Sequence, residues 1–103
     1  MKRDMRVILR VDRLIHEPGR LAIMAVLYAV ETADFLYLLR ETGMTTGNLS
    51  SHLTKLEAGG YVEIAKTYKE KIPQTTCRLS RTGRTAFQQY RTHLKTATDN
   101  MKE

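Results

Sequence analysis

The clearest pattern in this chain is a leucine stripe. Leu49, Leu53 and Leu56 stand at i, i+4 and i+7, the spacing that gathers apolar side chains on one face of a helix. It predicts a helix from Thr46 to Ala58, capped by Thr45 and ended by Gly59-Gly60. The opposite face carries Gly47, Asn48, Ser50, Ser51, Thr54, Lys55 and Ala58, a surface that stays small and polar as far as Lys55. Ahead of it, Asp34 is a good N-cap for a shorter helix, Phe35 to Thr42, with Phe35, Leu38 and Leu39 on one side. Gly43 suits the left-handed residue that stops that helix, and Met44 would pack inward. Beyond Gly60 the period changes to two. Tyr61 to Tyr68 sets Val62 and Ile64 on one face, and Thr75 to Leu79 does the same with Cys77 and Leu79. Between them Lys69 to Gln74 reads as a long basic hairpin tip, with Pro73 in the loop or at a strand start.

The flanks are apolar at helical spacing too. About residues 4–16, with Val7, Ile8, Val11, Leu14 and Ile15, form an expected first helix, interrupted by Glu17 and Pro18. Pro18 fits the first turn of a second helix, where its missing N–H costs nothing. Leu21, Ala22, Ala25, Val26, Tyr28 and Ala29 make that helix apolar nearly all round, so a central place is expected, with its end near Glu31-Thr32. Ser80 can cap a last helix, Arg81 to about Asp99, on which Phe87, Tyr90, Leu94, Ala97 and Met101 are spaced by 3, 4, 3 and 4. Two heptads are too short for a coiled coil alone. Such a seam either packs on its own domain or pairs two copies. The second reading is favoured, with Val7, Ile8, Val11, Phe87, Tyr90, Leu94 and Met101 at the expected dimer interface.

Size and composition narrow the class. A chain of 103 residues with 42% hydrophobic content makes one domain with a core. No apolar run approaches the ~20 residues needed to span a bilayer, and Arg10 and Asp12 break the stretch a signal peptide would need. The single cysteine, Cys77, excludes an internal disulfide and suits a reducing compartment, so a cytoplasmic, nucleoid-associated place is expected. The net charge of +6 is uneven: Lys66 to Lys95 holds eight basic residues against Glu70 alone, giving +7 there and −1 elsewhere. A basic segment behind a helix pair is the electrostatic footprint of a polyanion. Enzyme chemistry finds little support. Ser51 and His52 are adjacent on a helix and do not face each other, and no phosphate loop or carboxylate pair stands out. His16, His52, His93 and Cys77 are too scattered for a metal site, and no cofactor is expected.

A helix, a turn, a polar-faced helix and a basic hairpin in this order describe a winged helix-turn-helix, mainly α with a small β-hairpin wing. The expected layout is residues 34–58 for the helix-turn-helix, 61–79 for the wing and 81–99 for the C-terminal helix. Asn48 can make a bidentate contact to adenine, and the hydroxyls of Ser50 and Ser51 can read several base edges. Thr45, Thr46 and the first backbone N–H groups of the helix favour phosphate. Lys55 would serve a phosphate or a guanine. Lys66, Lys69, Lys71 and Arg78 would hold the backbone of an adjacent groove, mainly by salt-sensitive attraction, since the tip carries no arginine. A plainer reading makes Asn48 a capping partner and the serines ordinary surface; the order of elements tips the balance towards double-stranded DNA.

Leu38-Leu39-Arg40-Glu41-Thr42-Gly43-Met44-Thr45-Thr46-Gly47-Asn48-Leu49-Ser50-Ser51-His52-Leu53, followed by Leu56-Glu57-Ala58-Gly59-Gly60-Tyr61-Val62, resembles winged-helix transcriptional regulators of the MarR/ArsR type, in particular small stand-alone ones. The likeness spans about Asp12 to Phe87. It implies a homodimer joined through its terminal helices on a pseudo-palindromic operator; helix, wing and charge together lead to the expectation of a dimeric transcriptional repressor. Recognition contacts carry over to Thr45, Thr46, Asn48, Ser50, Ser51 and Lys55, and wing contacts less firmly to Lys69, Lys71 and Arg78. The chain departs from the pattern in lacking a tip arginine and the cysteine cluster of metal sensors. Nothing marks a small-molecule effector, although the groove between dimerisation helices could hold a small apolar one. A protein-interaction module is the alternative use of the same fold.

Overall fold

A computed structural model of the chain describes residues 4–102. After a short 3-10 turn, Met5–Arg10, come α1 (Pro18–Val30), β1 (Thr32–Asp34), α2 (Phe35–Thr42), α3 (Thr46–Ala58), β2 (Val62–Lys69), β3 (Ile72–Leu79) and α4 (Arg81–Asn100). The strands form one antiparallel sheet in the order β1-β3-β2. One core unites the helices and the sheet base: Ile15, Ile23, Leu27, Leu38, Leu49, Leu56, Val62 and Cys77 all belong to it. The molecule is elongated, 61 × 25 × 20 Å.

Local signals explain most of the element ends. Asp34 accepts the Tyr37 N–H at 2.7 Å and starts α2. Gly43 has φ 69°, a left-handed residue that a side chain would strain, and its N–H returns to the Leu39 carbonyl. Ser80 accepts the Gly83 N–H at 2.9 Å and opens α4. On α1 the deeply buried residues are Ile23, Met24 and Leu27, while Ala25 and Ala29 are exposed, so that helix is central on one side only.

Three expectations are corrected. The first helix, expected over about 4–16, shrinks to the 3-10 turn Met5–Arg10, and Val11 is extended. The cause is local: Asp12 accepts the N–H groups of Leu14 at 2.8 Å and Ile15 at 3.3 Å, which offers the backbone a turn in place of a helix. The hairpin tip, expected to run from Lys69 to Gln74, contracts to Glu70 and Lys71. Both have positive φ, 52° and 68°, as a two-residue turn matched to strand twist requires. Pro73 therefore sits inside β3, beyond the reach of β1, where the strand has an open edge. Lastly, β1 adds a third strand that no alternation announces.

The apolar seam of α4 also has an owner. Phe87, Tyr90 and Ala97 are buried, and Val7 and Val11 are buried with them, as the 3-10 turn lies along α4. The Asn100 side chain donates to the Asp4 carbonyl at 2.6 Å and ties the two ends together. Val7, Val11, Phe87 and Tyr90, expected between two copies, thus fill this chain's own interior. Ile8 and Leu94 are partly covered, and Met101 remains 57% exposed.

Candidate nucleic-acid interface

The candidate surface begins with the caps of α3. Thr45 Oγ1 accepts the Asn48 backbone N–H at 3.1 Å. The capping contact of Asn48 is therefore made by its main chain, and the residue itself is exposed. Below it Leu49, Leu53 and Leu56 are buried in the core, which fixes the rotation of α3 about its axis. That rotation leaves Thr45, Thr46, Gly47, Asn48, Ser50, Ser51, Thr54 and Lys55 all exposed along the outer face. The Thr54 hydroxyl donates back to the Ser50 carbonyl at 2.9 Å and is turned towards its own helix. Short side chains over this length let a helix approach base edges closely.

His52 points elsewhere. It lies half-buried between α3 and the start of α1, with Nδ1 3.4 Å from an Arg20 nitrogen and Nε2 3.7 Å from a Glu17 oxygen. A Cβ on Gly19 would come within 2.7 Å of the His52 ring, so a side chain there would displace the imidazole from this position. Glu17 also caps α1, accepting the Arg20 N–H at 2.8 Å. That N–H, helped by the nearby His52 and Arg20 side chains, holds the Glu17 carboxyl below its ordinary range. The cluster docks α3 on α1 and sits at the core edge of α3.

The wing divides its basic residues between two faces. Val62 pairs with Leu79, Ile64 with Cys77, Lys66 with Thr75 and Tyr68 with Pro73. Alternation places these on the face whose base, Val62 and Cys77, packs in the core with α3. Lys69 and Arg78 belong to the other face, and Lys71 stands in the turn. Arg78 Nε donates to Glu63 at 2.8 Å, an exposed pair across the strands. Its charge is shared with Glu63, which distinguishes it from Lys66, Lys69 and Lys71. Cys77 is buried at the wing base, and burial, with Glu57 and Asp34 adding to it, pushes its thiol up to about 11. Among the described residues no group of His, Cys, Asp and Glu is arranged to hold a metal ion. No helix there is long and apolar enough to cross a membrane.

A family model described as a winged helix DNA-binding domain matches residues 20–98. The chain belongs to that family. A curated relative, an uncharacterized protein of Methanocaldococcus jannaschii, is 36% identical over 78 residues, covering 76% of this chain and 85% of its own length. The solved transcriptional regulator homologue of Pyrococcus horikoshii superposes with a TM-score of 0.88 at 25% identity, over 95% of this chain and 99% of that one. A MarR-family regulator of Silicibacter pomeroyi shares the fold at a TM-score of 0.67 and 19% identity, over 93% of this chain and 64% of that one. The chain is thus a winged helix DNA-binding domain, and its fold is one that a MarR-family regulator shares. The residues not singled out from the sequence are Tyr68 and Ile72 beside the wing tip, 75% and 64% exposed, and Leu9, 72% exposed. Tyr68 has the parity of Val62 and Ile64, which is the signal that marks its face.

Proposed function

We propose that this chain is a sequence-specific regulator of transcription that binds double-stranded DNA as a homodimer. The observation that carries the reading is the bare outer face of α3, small and polar, above leucines buried in the core. Asn48, Ser50 and Ser51 read base edges in the major groove. Thr45, Thr46 and Lys55 hold phosphates, and Gly47 keeps the backbone close. Lys66, Lys69 and Lys71 hold the flanking backbone through the wing, and Arg78, paired with Glu63, contributes less.

Dimerisation uses the end of the molecule far in sequence from the wing. Met5, Leu9 and Met101 are exposed apolar residues on the 3-10 turn and at the end of α4, which lie together. Pairing through that patch, continued by partly covered Ile8 and Leu94, sets two recognition helices against half-sites about 34–36 Å apart, one turn of duplex. An operator with inverted half-sites then follows from the two-fold axis. Repression is the simplest output, because it needs only that the bound dimer exclude other proteins from that DNA. Such a protein works on the nucleoid, in the cytoplasm.

Selection of bound fragments from random duplex DNA tests the proposal. The expected product is a pseudo-palindrome of two half-sites, with affinity falling steeply as salt rises. Failure to enrich any sequence at low salt, with the chain folded, contradicts it.

A further inference from the structure

The wing ends in apolar side chains ringed by lysines, an unusual surface for a purely electrostatic contact. The two-residue turn brings Tyr68 opposite Pro73 and Lys69 opposite Ile72 as the last cross-strand pairs. Tyr68 is 75% exposed and Ile72 64% exposed, on opposite faces of the ribbon. Lys66, Lys69 and Lys71 surround them, against the single acid Glu70. A solvated wing needs none of this apolar area, and exposed hydrophobic surface rimmed by charge marks an interaction site.

We propose that Tyr68 is a salt-independent DNA contact of the wing, its ring laid against the deoxyribose wall of the groove beside the half-site. The inference rests on the DNA-binding reading above and deepens it. Lys66 and Tyr68 share the face on which α3 packs at the wing base, so the ring projects on the same side of the sheet as the recognition helix. The occupant is a duplex because the lysines match the charge of its backbone while the sugars between phosphates offer apolar edges to a tyrosine ring. The wing thereby holds DNA in two ways, one that salt screens and one that it does not.

The two modes separate in a salt titration of operator binding. Each lysine–phosphate contact adds about 0.9 to the slope of log affinity against log salt. A ring on sugar adds nothing to that slope. Tyr68→Ala is expected to weaken operator binding about tenfold per wing, ~1.4 kcal/mol, at every salt concentration with the slope unchanged. Tyr68→Phe keeps the affinity, since the ring makes the contact. The chain has no Trp, so Tyr68→Trp adds a sole indole, whose quenching by acrylamide should fall when operator binds. If wild-type chain binds operator and Tyr68→Ala binds it equally well, the ring contact is wrong while the regulator reading stands. If Tyr68→Ala instead changes the dimer equilibrium in sedimentation, the patch is a protein interface and the inference is overturned. Failure of the wild-type chain to bind any duplex removes both.

Discussion

The helix α3 and the wing hold their exposed side chains by opposite means. In α3 one face is locked in the core by Leu49, Leu53 and Leu56, and the other is bare. Beyond Ile64 the wing has no core on either face, and it depends on its strand ladder and a two-residue turn. The difference matters because base reading requires side chains held in fixed register, whereas phosphate holding tolerates movement along the backbone. On the proposed reading, rigid packing stands where sequence is to be read, and an open ribbon stands where charge and a ring suffice.

Breaking the packed side should have the largest effect. Leu49→Ala removes a fully buried side chain under Asn48 and should lower stability by ~2–5 kcal/mol, seen as a lower denaturant midpoint, with DNA binding lost alongside. Tyr68→Ala or Lys71→Ala should leave that midpoint nearly unchanged; an equal drop would end the contrast between the two regions. Next in size, Asn48→Ala should weaken binding to a selected site by ~1–3 kcal/mol and leave random duplex nearly unaffected in competition assays. Equal loss on both would reject its base-reading role. Lys71→Ala should weaken specific and random DNA alike and lower the salt slope by ~1.

The smallest effect concerns the joint between the two regions. Tyr61 follows Gly60 at the end of α3, and its hydroxyl donates to the Asp12 carboxylate. Burial, and then that hydrogen bond and charge, push the phenol from an ordinary 10.0 up to about 12. The raised value belongs to the folded chain, so the stabilising contact is complete below pH 10 and is lost as pH rises towards about 12. Tyr61→Phe should flatten the fall in denaturant midpoint across that range relative to wild type. An unchanged slope would show that the joint does not depend on this proton.

How much of this was legible follows from what periodicity can encode. The leucine stripe, the capping Thr45 and the stop at Gly43 place α2 and α3 correctly, because helix ends and faces are local properties. Alternation finds both wing strands and the side of Val62 and Cys77. It misses the tight turn, because Glu70 and Lys71 adopt positive φ without glycine or asparagine to announce it. The first helix is misjudged because apolar spacing does not reveal that Asp12 captures two backbone N–H groups. The seam of α4 is a further case: spacing shows that Phe87 and Tyr90 face something apolar, and only tertiary structure shows that Phe87 packs against Tyr28 of α1 and that Tyr90 is buried beside His16. Tyr68 was legible in parity and not in purpose, since its meaning needs both its exposure and its side of the sheet.

The central claim is that the polar face of α3 meets DNA, and site-directed crosslinking tests it most directly. The native Cys77 is 1% exposed, so a photoactivated label goes selectively to an introduced surface cysteine. Labelled Ser51→Cys should crosslink to bases within a selected half-site, while Thr92→Cys on exposed α4 should not. Crosslinking from Thr92→Cys with none from Ser51→Cys would contradict the account.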